Sequence, residues 1–510
     1  MLFTFARIII KVKVLLVHPS ALMQGQVFLR LEPLGLERIA RALHQEKHHV
    51  RILDLQIFSL KEYRRELDIF KPEAVGISMN YLANLPETIE LAIAAKRRIP
   101  QCFVFVGGHS ASFVAADILA HAGDAIDCVV KGEGEAVAPR ILELTRKGDV
   151  GKLPGVVTSN GEGPPPALIP SIDDYPPLRK ALRRRNKYFM GDLDPCASIE
   201  FSRGCPWHCS FCSGWTFYGR SYRTLSPEAI IEDLATIREP NVFVVDDVVF
   251  IHPEHAFAIG QEIRKRGIRK RFYMETRCDV LVRNQEVFRY WKEVGLSYMF
   301  LGLEAVDEER LKLFRKGVSL DESLRALEIA RKLGIRVAIN IIADSEWDET
   351  HFARIREWGL SIPEIVNLTV NTPYPGTESW HTETRPTTTL DYRLFDVQHA
   401  VLKPRLPLER FYEELVQTQL ALYKKHMDIA SLRKTVATAM RLLLHGQTNY
   451  IRMYWNFGRI YNAQKLFADH LRPVQYAMTP PPRDGVRPPA GRLYIHRPGA
   501  AENKTARPLG

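Results

Sequence analysis

Along the first third of the chain, short runs of aliphatic and β-branched residues alternate with stretches in which apolar positions recur every three or four residues. The runs fall at Val12–His18, His49–Asp54, Ala74–Met79, Val104–Gly107 and Cys128–Lys131. The longer period suits helices at Leu36–Glu46, Ser59–Ile69, Leu85–Arg98, Ser112–His121 and Glu135–Lys147. Strand, helix and strand in that order specify parallel βαβ units, so residues 11–147 are expected to form a doubly wound α/β sheet. Sheets of this kind take ligands in the crevice beyond the carboxyl ends of their strands.

Residues 148–195, with Gly161-Glu162-Gly163-Pro164-Pro165-Pro166 and Tyr175-Pro176-Pro177, have the composition of a linker. Alternation resumes across residues 196–379. Strands are expected at Ser198–Ser202, Val242–Val245, Phe272–Thr276, Met299–Gly302, Val337–Ile342 and Ile365–Val370. Helices separate them, among them Pro227–Arg238, Gln285–Glu293 and Glu322–Leu333. Six βα units predict a partial, TIM-like (β/α)6 barrel with its active groups at the C-terminal strand ends. Residues 380–478 read as helical and aromatic, with helices at Leu408–Met427, Ser431–Leu444 and Met453–Leu471. Residues 479–510, rich in Pro, Gly and charge, read as a disordered tail.

Composition narrows the classes. With 510 residues, 46% of them hydrophobic, the chain is long enough for about three domains and a sizeable core. Seven cysteines are too few for a disulfide scaffold and suit a reducing cytoplasm. The net charge of +11 is dispersed; its densest clusters are Arg183-Arg184-Arg185 and Arg264-Lys265-Arg266. No nucleic-acid-binding module accompanies that charge; an anionic membrane surface or anionic cofactors are equally good partners, and most such charges are a solvated face. No stretch is apolar enough to span a bilayer. The apolar start, Met1–Ile10, lacks a signal-peptide cleavage pattern and reads as a short membrane-contacting extension or as a segment without a role.

The most specific chemistry lies in Ser202-Arg203-Gly204-Cys205-Pro206-Trp207-His208-Cys209-Ser210-Phe211-Cys212, a C-x3-C-x2-C run directly after the first barrel strand. Three thiolates on a cubane iron–sulfur cluster leave one iron open to a small ligand. A zinc knuckle with His208 as fourth ligand is the competing interpretation. It is disfavoured because neighbouring His208 and Cys209 would have to reach one tetrahedral ion.

The spacing, with Phe211 before the third cysteine, resembles that of the radical S-adenosylmethionine enzymes. The resemblance implies a [4Fe-4S] cluster on Cys205, Cys209 and Cys212. It also implies S-adenosylmethionine held by polar groups on successive strand ends, here Asp246 and Asp247, Glu275 and Arg277, and Glu304. Adjacent Asp246 and Asp247 would receive the methionine ammonium, Arg277 its carboxylate, and Glu304 the ribose hydroxyls. Ala338–Asp344 is similar to the family's adenine-contacting strand, departing from it with Asp344-Ser345-Glu346 where Pro-Gly-Glu is common. Cys278 beside Arg277 is expected to be packing rather than a methyl carrier.

Lys13 to Glu135 resembles the cobalamin-binding domains that precede such barrels, on Gly107-Gly108-His109 and Gly132-Glu133-Gly134-Glu135. Ser78, Gly107, Gly108, Gly132 and Glu133 are the implied cofactor contacts. D-x-H-x-x-G is absent, which implies cobalt without a protein histidine; His18 is the one candidate nearby. Phe28–Leu36, Thr372–Thr377 and Phe395–Leu402 look most like the hopanoid C-3 methylases and the related bacteriochlorophyllide methyltransferases. Anaerobic ring cyclases share the motifs.

The implied reaction uses a 5′-deoxyadenosyl radical to remove hydrogen from an unactivated carbon and methylcobalamin to deliver the methyl group. The implied partners are a large apolar polycyclic substrate, an electron donor such as flavodoxin or ferredoxin, and peripheral contact with the inner membrane.

Overall fold

The computed structural model describes residues 11–22, 28–145, 150–426, 429–480, 488 and 490–496. Met1–Ile10 lies outside the described residues. The chain divides into two compact units: residues 1–20 with 33–184, and residues 21–32 with 185–510.

In the first unit, strands β1 (Lys13–His18), β2 (His49–Asp54), β3 (Ala74–Ser78), β4 (Phe103–Gly107) and β5 (Cys128–Val130) are parallel, in the order β2-β1-β3-β4-β5. Their side chains are almost wholly buried, as expected of a sheet covered on both faces. Helix Leu60–Phe70 shows how local sequence sets a boundary. The Ser59 side chain accepts from the Glu62 N–H, and Glu62 reaches back to the Ser59 N–H at 2.8 Å. The proline-rich segment does more than link. Val156–Thr158 and Gly161–Glu162 form a hairpin, β6 and β7, that extends the sheet antiparallel from β5.

In the second unit, β8 (Cys196–Ile199), β9 (Asn241–Val244), β10 (Arg271–Arg277), β11 (Leu296–Glu304), β12 (Arg336–Ala343) and β13 (Ile365–Val370) form one parallel sheet in sequential order. This is the expected partial (β/α)6 barrel. Ahead of it, Leu29–Arg30 pairs with Phe189–Met190, so a segment from the N-terminal third completes the second unit.

Two further expectations need correction. The helix foreseen at Met453–Leu471 is two, Asn449–Ile460 and Ala463–His470. Asn462 is extended and its side chain caps the second by accepting from Lys465 N–H. Part of the foreseen disordered tail is ordered. Ile495 and His496 donate backbone N–H to the carbonyls of Thr216 and Phe217 at 2.9 and 3.1 Å, and both are buried. The Tyr494 ring meets Trp215 edge-on at 5.8 Å. Apolar Leu493 and Ile495 give this stretch something to bury.

Candidate active site

In the first unit the strand order reverses between β1 and β3, so a crevice opens at the ends of β1, β3 and β4. Ser78 ends β3 half-buried, and Gly107 ends β4. Gly108 has φ of +113°, and a Cβ there would lie 2.7 Å from Asn80 Oδ1 and 2.9 Å from the Met79 carbonyl. Gly107 would accept a Cβ at ordinary contact distance, so only one of the paired glycines is sterically required. Gly132, with φ of +80°, donates its N–H to Ser112 Oγ at 3.0 Å. That hydroxyl donates to the Gly108 carbonyl at 2.9 Å, tying the two glycine loops together. Glu133, the other expected contact on this loop, has a structural partner. It is buried, and its carboxylate accepts the Ile169 N–H at 2.7 Å. His18 is buried at the end of β1, with Nδ1 2.8 Å from the Pro19 carbonyl and 3.5 Å from Asp54.

In the second unit the cysteine loop leaves β8 and is braced from several directions. Asp246 accepts the Phe201 N–H at 2.8 Å and the Ser202 hydroxyl at 2.5 Å. Gly204 has φ of +93°, and a Cβ would stand 2.4 Å from the Ser221 carbonyl, so only glycine fits the turn. Trp215 Nε1 donates to the Cys209 carbonyl at 2.9 Å, Ser210 N–H to the Phe314 carbonyl at 3.0 Å, and Ser379 Oγ to the Ser210 carbonyl at 2.9 Å. Phe211 packs edge-on against Phe314 at 5.1 Å.

The donor set fits an iron–sulfur cluster. Cys209 is buried, and Cys205 and Cys212 are half-buried. Burial pushes the Cys205 thiol up and the Cys212 thiol up to about 12, the latter helped by Cys209. Such sulfurs ionise on binding metal, releasing protons. Positive groups stand ready for the charge. Arg277 Nη1 lies 3.7 Å from Cys209 Sγ, and Gly214 donates its N–H to Cys212 Sγ at 3.3 Å. Lys316 is buried and pairs with Glu304 at 3.0 Å. Burial alone would lower the Lys316 pKa, but Glu304 and Cys209 outweigh it and raise it.

The foreseen S-adenosylmethionine contacts separate into two groups. Asp247, Glu275 and Glu304 come together at the ends of β9, β10 and β11. Burial, then the charges of Asp247 and Glu304, push Glu275 up to about 7. Burial and Glu200 push Asp247 up to about 6, against the Gly204 N–H. A buried carboxyl pressed on by two neighbouring carboxylates in this way makes a receptor for a cation. Glu304 has φ of +71° beyond an irregularity in the β11–β12 register, a strained backbone of the kind found at functional sites.

Asp246 and Arg277 have other work. Asp246 braces Phe201 and Ser202, and burial pushes it up to about 8. Arg277 is spent on Asp279 at 2.9 Å, the Lys316 carbonyl at 2.5 Å and Cys209, with its guanidinium 4.3 Å from the Trp207 ring centre. These contacts engage three of its five N–H groups. Cys278 is fully buried against the Gly302 carbonyl, as packing would have it.

A cavity of about 1010 Å³ runs along the inner faces of β10 to β13. Glu275, Glu304 and Phe211 line it together with the aromatic rings of Tyr273, Tyr298, Phe300, Tyr374, Tyr423, Tyr450 and Tyr461. That stands at the upper end of the roughly 300–1,000 Å³ usual for small-molecule sites.

A model of the radical SAM superfamily matches residues 199–359, and one of the B12 binding domain matches residues 22–142. The chain is 58% identical over 487 residues to the hopanoid C-3 methylase of Methylococcus capsulatus, covering 95% of each chain. The chain belongs to the cobalamin-dependent radical S-adenosylmethionine methylases. Its cofactors are therefore a [4Fe-4S] cluster, S-adenosylmethionine and cobalamin. Bacteriochlorophyllide d C-8(2)-methyltransferase of Chlorobaculum tepidum is 22% identical, over 72% of this chain and 79% of its own length. Among solved structures, the radical S-adenosylmethionine methyltransferase TsrM of Kitasatospora setae shares the fold. It matches with a TM-score of 0.58 and 18% identity, over 77% of this chain and 80% of its own.

For this methylase, sequence reasoning missed Lys316, Trp207 and Trp215. Lys316 sits in Phe314-Arg315-Lys316-Gly317 and looks like another surface charge. Only the fold brings it under the cysteine loop. Asp344, noted as a departure from Pro-Gly-Glu, is fully buried. It holds Arg310 at 2.9 Å, Arg385 at 2.7 Å and Asn371 at 2.9 Å.

Proposed function

We propose that this enzyme methylates carbon 3 of the A ring of a hopanoid, with methylcobalamin as the methyl source. The observation that carries the substrate is the 58% identity along 95% of the chain to a hopanoid C-3 methylase. The long, aromatic-walled cavity is of the kind a rigid apolar polycycle needs. Cys205, Cys209 and Cys212 hold the cluster, while Asp247, Glu275 and Glu304 receive the ammonium and ribose hydroxyls of S-adenosylmethionine. Ser78, Gly107, Gly108 and Gly132 border the cobalamin crevice, and cobalt carries no protein histidine.

When bound, the cluster with S-adenosylmethionine supplies a hydrogen-abstracting radical, and cobalamin supplies the methyl group. Carbon 3 is saturated and non-acidic, so no side chain of the cavity acts as its base. The work of the chain is to orient the ring system, exclude water with its tyrosine and phenylalanine walls, and balance the charge of the cluster with Arg277 and Lys316. A flavodoxin or ferredoxin provides the electron.

The anaerobically reconstituted protein, given a reductant, S-adenosylmethionine and a hopanoid, should yield a product heavier by one methylene. Methionine, 5′-deoxyadenosine and S-adenosylhomocysteine should each form in equal amount to it. Methylated bacteriochlorophyllide alongside untouched hopanoid, when both are offered, overturns the assignment.

A further inference from the structure

Helices Ile429–Leu444 and Asn449–Ile460 each have two unlike faces. One face closes the cavity: Thr435, Thr438, Tyr450 and Met453 line it. The opposite face is apolar and open. Val436, Met440 and Leu444 are 53, 57 and 83% exposed and, with Leu443, fall on one stripe of the first helix. Ile451 and Trp455, the latter 73% exposed, form the corresponding stripe of the second. Exposed apolar side chains this large, grouped on two consecutive helices, mark an interaction surface rather than scattered surface residues.

Charge identifies the partner. From Ile429 to Ile460 the sequence contains no Asp or Glu, and its charged residues are Arg433, Lys434, Arg441, Arg452 and Arg459. Arg433, Arg441 and Arg452 are exposed beside the apolar stripes. A second copy docked face to face across a two-fold axis would bring like charges together. An anionic lipid surface would instead be matched on both counts. Its acyl boundary takes the apolar stripe, its phosphates take the arginines, and an exposed tryptophan prefers the interface between them. Among the described residues no helix is long and apolar enough to cross a membrane, so contact through these helices lies in the interface plane.

We propose that the helix pair 429–460 is a docking surface for an anionic lipid bilayer. The helices that rest on the membrane are the same ones that wall the substrate cavity, so a lipid leaving the bilayer meets the enzyme at its cavity wall. The purpose of the docking rests on the lipid-substrate assignment above; the surface itself does not.

The test is co-sedimentation of the full-length protein with extruded vesicles of phosphatidylcholine alone and of phosphatidylcholine with 30% phosphatidylglycerol, neither containing hopanoid. Wild type should sediment with the anionic vesicles, and less so as salt rises. Met440→Glu/Leu444→Glu/Trp455→Glu should cut the bound fraction at least tenfold. Arg433→Gln/Arg441→Gln/Arg452→Gln should abolish the preference for phosphatidylglycerol. Circular dichroism melts and cobalamin binding, both unchanged, would show that the variants fold. Wild type that ignores anionic vesicles, or a triple-Glu variant that binds as well as wild type, overturns the proposal. So does a wild-type dimer in light scattering that the triple-Glu variant splits without any vesicle binding. Turnover of detergent-dispersed hopanoid, measured in parallel, tests the substrate independently, because it requires no docking.

Discussion

His399 offers a pH test of the wall behind the cavity. The imidazole is almost wholly buried; its Nδ1 is 3.0 Å from Asp396, and its Nε2 is 3.5 Å from Asp469. Burial alone would lower its pKa, but the two carboxylates outweigh that and raise it to about 9. The other groups facing it are Tyr412 and His470, whose hydroxyl and ring nitrogen are 2.6 Å apart; burial and then His399 lower His470 to about 4. A histidine raised from an unfolded value of about 6.5 to about 9 contributes roughly 3 kcal/mol, at about 1.4 kcal/mol per pH unit. Because the folded value is the higher one, that stabilisation is complete below about pH 6.5 and is lost as pH rises through about 9. The assay is urea unfolding of wild type and His399→Gln at half-unit steps from pH 6 to 9.5. Wild type should exceed the variant by several kcal/mol at pH 6 and by little at pH 9.5. Parallel curves would refute the buried ion cluster. The effect reaches the cavity because Val397, two residues away, lines it and accepts the Val370 N–H at 2.7 Å.

Asp344→Ala leaves Arg310 and Arg385 without their buried carboxylate and should cost about 3–5 kcal/mol in urea unfolding. Replacing Cys205, Cys209 or Cys212 with Ala should abolish the four-iron absorbance after reconstitution, while Cys278→Ala should retain it. Lys316→Met removes a buried cation beside the cysteine loop and should lower the midpoint potential of the reconstituted cluster in a redox titration monitored by electron paramagnetic resonance. Gly108→Ala forces a Cβ to within 2.7 Å of Asn80 Oδ1 at a φ of +113° and should weaken cobalamin binding at least tenfold in spectrophotometric titration.

The fold was legible because β1–β5 and β8–β13 are parallel and buried, so each of these strands reads as an apolar run of its own and each helix as a periodic stretch. The cysteine loop was legible from spacing alone. Side-chain direction just past a strand end was not. Asp246 and Asp247 are neighbours of identical chemistry, yet one turns inward to Phe201 and Ser202 while the other faces the cluster loop. The two-residue period that sorts side chains within a strand gives no guidance where the strand stops. The surroundings of Arg277 and Lys316 were illegible for a related reason. Their roles depend on contacts with residues 68 positions away for Arg277 and Cys209, and on a buried pair at 12 for Lys316 and Glu304. The carboxylates Glu275 and Glu304 were found because successive parallel strands bring their ends to one rim whatever lies between.

The bracing of the cysteine loop also fixes an order of events during folding. Ser210 is held by the Leu313 carbonyl 103 residues later and by Ser379, 169 residues later, while Thr216 donates to the Gly376 carbonyl 160 residues on. Contacts of such span close large loops and form late. The cysteines emerge from the ribosome early, but the shape that spaces their sulfurs exists only after β13 and the turn behind it have docked. A chain cut short before about residue 379 would therefore lack the braces that give the cysteine loop its shape.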